Sequence, residues 1–166
     1  MFKIILNLLV FQVGWLVCVL GGNIYALIYT SLAMAFHHGF VLVRTSEWSV
    51  VALVTATGCL WDAFMAFSGV IKYTNTDLIG LPIWLICLWL LFATTFHHSL
   101  RWLANHLWLA AVLAAVFGPF SYWAGSQLSS ADISLPIINS LLIIAAGWSL
   151  LFPAGIYIAG KSRPLT

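Results

Sequence analysis

The sequence predicts an all-α integral membrane protein, a bundle of six transmembrane helices with both termini in the cytoplasm. Three observations carry that expectation. Charge is scarce: 6% of the 166 residues are Asp, Glu, Lys or Arg, against about 25% in an average soluble domain. Apolar residues make up 63% of the chain and the mean hydropathy is +1.08. The bases, finally, collect on one side of the long uncharged runs. So few charged groups exclude a water-soluble fold, and a net charge of +2 gives no grip on nucleic acid or an acidic partner.

A helix needs about 20 apolar residues to cross a hydrocarbon core of about 30 Å. The runs that approach this length are Ile4–Gly21, Ile24–Val43, Trp48–Ile71, Leu78–Phe96, Leu107–Trp123 and Leu135–Ala159. Nothing between them is long or polar enough for a soluble unit, so residues 1–166 read as a single transmembrane domain. The first run passes into the second without an A-x-A site and is expected to be a retained helix, not a cleaved signal. Gly21-Gly22-Asn23 between these runs makes so tight a turn that they must form an antiparallel hairpin.

The third run carries Asp62 and two stripes of small residues. One is Ala52, Ala56, Cys59, Ala63 and Ala66; beside it run Thr55, Gly58, Asp62 and Gly69. The fifth run has a comparable stripe of Ala111, Ala115, Gly118, Tyr122 and Gly125. Small residues let helices approach closely in lipid, so the third and fifth helices are expected at the packed centre. Pro119 and Pro153 are expected to bend the fifth and sixth helices. Cys18, Cys59 and Cys87 lie singly inside apolar runs and read as inert core residues.

Six spans place Lys3, Arg44, Arg101, Lys161 and Arg163 on one side, and Lys72 with Asp77 and Asp132 on the other. The positive-inside rule then puts both termini in the cytoplasm. The tripeptide Phe36-His37-His38 returns as Phe96-His97-His98. The same offset carries Trp48 to Trp108, Gly58 to Gly118 and Asp62 to Tyr122, a weak sign of a parallel internal repeat.

Asp62 is the most informative residue, because an ionisable group deep in a membrane costs at least about 2.5 kcal/mol and usually faces the bundle. It lies about 21 Å beyond Trp48 along the helix. Tyr122 and Asn139 fall at a similar depth on other helices, so Asp62, Tyr122 and Asn139 are the expected ligand-binding residues. Otherwise Asp62 is hydrogen-bonding glue between helices. The histidines collect near the cytoplasmic end. His37, His38, His97 and His98 read first as interfacial residues, with a haem site between the pairs as the weaker alternative. No metal or cofactor is otherwise expected. The chain lacks a glycine-rich phosphate loop, GxSxG and HExxH, and its only acid in a cytoplasmic loop is Glu47, so catalysis on soluble substrates has no foundation.

Several short motifs resemble a family of bacterial inner-membrane proteins of about this length, grouped as a domain of unknown function. They are Gln12-Val13-Gly14-Trp15 with Gly21-Gly22, Asp62, Pro82-Ile83-Trp84-Leu85 with Leu88-Trp89, His98-Ser99-Leu100 with Trp102, and Gly118-Pro119-Phe120-Ser121-Tyr122 before Ala124-Gly125. The resemblance implies a multi-span fold in the inner membrane, no established activity and a role near membrane lipids. Three functions are therefore weighed. The first is a protein that binds or moves a lipid or other apolar small molecule in a bundle cavity. The second is a scaffold or assembly subunit for a membrane-associated enzyme partner, one that modifies lipids or answers stress. The third is a haem-binding redox protein.

Overall fold

The computed structural model describes residues 2–74, 76–134 and 136–162; Leu135, the expected first residue of the last span, and the base Arg163 lie outside them. Helix α1 spans Phe2–Phe36 but is broken at Gly22, whose φ of 69° and ψ of −165° belong to no helix. Only glycine takes that backbone without strain. The Tyr29 hydroxyl donates to the Val10 carbonyl 19 residues earlier at 2.7 Å. On a straight helix those groups would stand about 28 Å apart. The chain therefore doubles back at Gly22, inside the expected turn, and α1 is two antiparallel arms. Its second arm runs into a π-helical turn, His37–Val41.

Helix α2 (Glu47–Phe67) ends before Gly69, whose φ is 72°. The chain then enters a short strand, β1 (Ile71–Tyr73), where the sequence reading continued the helix to Ile71. It pairs antiparallel with β2 (Ala131–Ile133), which sets Lys72 opposite Asp132. This two-stranded ribbon departs from an all-α architecture, and its opposite charges facing across the strands favour the pairing.

Helix α3 (Ile83–Ala93) is a larger departure. Its 11 residues reach about 16 Å, well short of the expected Leu78–Phe96 span. Pro82 precedes it in an extended conformation, and two distant side chains finish its start. The Ile83 N–H donates to Asp77 Oδ2 and the Trp84 N–H to Asn23 Oδ1, while Asn23 Nδ2 donates to Asp77 at 2.7 Å. At the other end the Thr94 and Thr95 hydroxyls fold back on the carbonyls of Leu91 and Phe92, and the chain goes on as buried turns to Ser99. Among the described residues four helices are long and apolar enough to cross a membrane, the reversed α1 counting as one.

After a 3-10 turn (Arg101–Asn105) come α4 (Leu107–Leu128), with Pro119 inside it, and α5 (Ile137–Lys161), with Pro153 inside it. The packed centre is not α2 with α4, as the small-residue stripes led us to expect. It is α3, which buries Trp84, Leu85, Cys87, Trp89, Leu91 and Ala93. On α2, Ala52 and Ala56 are exposed, and on α4 only Ala110, Ala114, Gly118 and Pro119 are buried. Exposed apolar residues such as Leu20, Leu60, Val116 and Leu150 cover the outward faces of the long helices, as expected of surfaces that meet lipid. Asn7 bonds Thr94 and Ser99, and Ser162 bonds His97, so the start of α1 and the end of α5 meet the same turn. That turn lies at the end of the molecule away from the ribbon.

Candidate functional site

The buried face of α2 recurs at steps of three and four through Val51, Val54, Gly58, Asp62 and Met65, the spacing of a single helix face. Gly58 precedes Asp62 by one turn and has Trp89 of α3 against it. A Cβ at Gly58 would fall inside the indole ring. The absent side chain is what admits Trp89 close enough to α2 to reach the carboxylate.

Trp89 Nε1 donates to Asp62 Oδ2 at 2.6 Å. From α4 the Tyr122 hydroxyl donates to Oδ1 at 2.6 Å, and from β1 the Tyr73 hydroxyl reaches the same oxygen at 3.4 Å. An indole N–H can only donate, so Oδ2 is held as an acceptor. Asp62 is 0% exposed, and among the described residues it forms no ion pair with Lys, Arg or His. Neutral hydrogen-bond donors alone hold it. Behind them Trp148 of α5 stacks on Trp89 with centroids 5.5 Å apart and meets Tyr122 edge-on at 6.1 Å. Gly118 of α4 makes room for Trp148 as Gly58 does for Trp89.

Beside this cluster lies a cavity of about 350 Å³, within the roughly 300–1,000 Å³ of small-molecule sites. Phe11, Trp15 and Val19 of the first arm of α1 form one wall, and Leu113, Phe117 and Gly125 of α4 form another. The cavity runs from the ribbon at Ala131 and Ile133 to Leu100 and Leu103. Its walls are almost wholly apolar. The polar groups, Asp62, Tyr73, Tyr122, Ser121, Ser126 and Ser129, gather toward the ribbon end.

Of the residues named from sequence, Asp62 and Tyr122 are brought together. Asn139 is exposed on the first turn of α5, does not bond Asp62 and does not line the cavity; its neighbour Ser140 is the buried one. Trp89 and Tyr73 were missed. Opposing glycine and tryptophan on neighbouring helices were the available signal for Trp89.

The histidines divide. His38 is exposed and lies against Trp48, with ring centroids 6.2 Å apart. His97 bonds Ser162 at 2.8 Å, and burial pushes its pKa below the ordinary 6.5. Only His37 and His98 meet, edge to face at 5.2 Å, a contact that leaves no gap for a haem between the rings. Between them stands Glu47, which the sequence reading placed in a loop and passed over. It opens α2, is buried, and accepts from His98 Nε2 at 2.9 Å.

These features define a mostly helical protein with, among the described residues, four helices long and apolar enough to span a membrane, holding a buried carboxylate beside an apolar cavity. The chain belongs to the family described as Protein of unknown function (DUF2878), which matches residues 4–154. Neither a curated protein nor a solved structure matches the chain.

Proposed function

We propose that this is a multi-pass inner-membrane protein that binds, or moves, a lipid or other apolar small molecule in the Asp62 cavity. In this reading six segments cross or enter the bilayer, with both termini in the cytoplasm, since Lys3, Arg44, Arg101 and Lys161 stand on one side. The observation that carries the reading is an apolar cavity with a buried carboxylate at one end. A carboxylate has about four acceptor sites, and Asp62 receives three donors. Asp62 is therefore suited to one further donor, which points to a ligand with an apolar body and a single hydroxyl or amine head. Tyr122 orients the carboxylate for it, and the aromatic walls take the body.

The test is mass spectrometry of lipids retained by protein purified in mild detergent. We expect one species to be enriched over the bulk extract, and to fall in Asp62→Asn and in Phe117→Trp, which fills the cavity from α4. Retained lipid matching the bulk extract, unchanged in both variants, would refute ligand binding. A co-purifying enzyme in its place would favour the scaffold.

A further inference from the structure

We propose that His37, Glu47 and His98 form a binding site for a divalent first-row transition cation, of which Zn²⁺ is the representative. The three come from separate elements: the π-helical turn, the first residue of α2, and the buried turn after α3. They are 4%, 4% and 8% exposed. One ligand atom from each lies within 4.8 Å of the others. Bonds of about 2.0–2.2 Å to such a cation ask for ligand atoms about 3–3.5 Å apart. His98 Nε2 and Glu47 Oε2 already stand at 2.9 Å. His37 Nε2, at 4.0 Å from the same oxygen, has only a small approach to make.

A second observation points to a ligand. His37 Nε2 is buried and has no hydrogen-bond partner among the described residues, although leaving such a group unpaired is costly. That nitrogen faces Glu47, where a cation would satisfy it. The π-helical turn that begins at His37 is itself unusual, since such turns are rare and recur at functional sites. It aims His37 inward and leaves the adjacent His38 exposed.

The donor set decides the class of metal. Two imidazoles with one carboxylate suit Zn²⁺ or Fe²⁺, whereas Mg²⁺ and Ca²⁺ prefer oxygen throughout. Three protein ligands leave a coordination position open to water. His98 would then carry its ring proton on Nδ1, so that Nε2 gives up its hydrogen bond to Glu47 and offers the cation a lone pair. This site stands at the end of the molecule away from Asp62, and its test is independent of any lipid.

Protein purified without a histidine tag and stripped with chelator is titrated with Zn²⁺ by calorimetry, and with Co²⁺ by visible absorption. We expect one ion per chain, Co²⁺ bands of a nitrogen and oxygen site, and a higher melting temperature with Zn²⁺. His37→Gln, Glu47→Gln and His98→Gln should each weaken binding at least about tenfold, and His38→Gln and His106→Gln should not. Glu47→Gln keeps the size of the side chain, and melting of each stripped variant reports whether it folds. No binding by the stripped wild type at 100-fold molar excess of Zn²⁺ would overturn the proposal. So would binding that survives all three changes, or that falls equally in His38→Gln.

Discussion

Replacing Asp62 separates a structural carboxylate from one reserved for a ligand. Asp62→Asn keeps the shape and two hydrogen-bonding atoms. The amide oxygen can turn to Trp89 Nε1, which requires an acceptor, and the amide nitrogen then faces Tyr122, whose hydroxyl can accept as well as donate. What is lost is charge assistance, the difference between hydrogen bonds worth about 1.5–3 kcal/mol and about 0.5–1.5 kcal/mol. A loss of about 1–2 kcal/mol in stability follows. Asp62→Leu removes both acceptors and strands the Trp89 N–H and the Tyr122 hydroxyl, each at about 1–3 kcal/mol. The sum, roughly 2–6 kcal/mol, approaches the whole stability of a typical domain, about 5–15 kcal/mol. Helical circular dichroism followed through denaturation in a fixed detergent should order the proteins as wild type, Asn, then Leu. Lipid retention should fall in Asn out of proportion to its stability. If Leu is as stable as wild type, Asp62 does not face these donors, and the site as described is wrong.

Other outcomes follow from the same packing. Gly58→Ala drives a methyl into the Trp89 ring and Gly147→Ala one into Trp61, so each should cost about 1–3 kcal/mol by overpacking. Gly39→Ala, with nothing within 4 Å, should be neutral within about 0.5 kcal/mol in the same denaturation. A reporter active only in the periplasm should be active when fused near Thr76 and silent after Thr166; the reverse pattern would sink the proposed orientation.

The sequence made the first reversal legible because Gly21-Gly22-Asn23 contains the residue that a positive φ requires, and Gly22 supplies it. Asp62 and Tyr122 were legible through depth, since a constant rise per residue places groups along a helix. Depth says nothing of azimuth. Asn139, expected at the same level, sits about 100° around the helix from the buried Ser140. The small-residue stripe through Ala52 and Ala56 misled for the same reason: the neighbouring stripe through Gly58 and Asp62 is the buried one. The length of α3 was hidden because a helix apolar all round reads alike whether it meets lipid or lies inside protein. Glu47 was hidden by its place in the sequence, where an acid at a span boundary looks solvated. Its proximity to His37 and His98 is a product of folding alone.

The short α3 explains why both polar clusters can exist in so apolar a chain. Backbone that leaves the helix at membrane depth is tolerated only where protein surrounds it. A helix of 11 residues leaves its continuation inside the bundle. The buried run from Thr94 to Ser99 uses that space. Its groups are met by Asn7, by Ser162 and by Glu47, from three other parts of the chain. At the opposite end the start of α3 is closed by Asn23 and Asp77, which fixes the helix along its axis and so sets the height of Trp89 against Asp62. Gly58 and Gly118, related by the offset that superposes the two histidine pairs, each receive a tryptophan ring, Trp89 and Trp148 respectively, and those rings stack on one another. The carboxylate, its donors and the cavity wall are therefore one packed unit hung on α3. An added residue in α3 would rotate Trp89 by about 100° away from Asp62 and should abolish both the stability and the lipid retention that single side-chain changes only reduce.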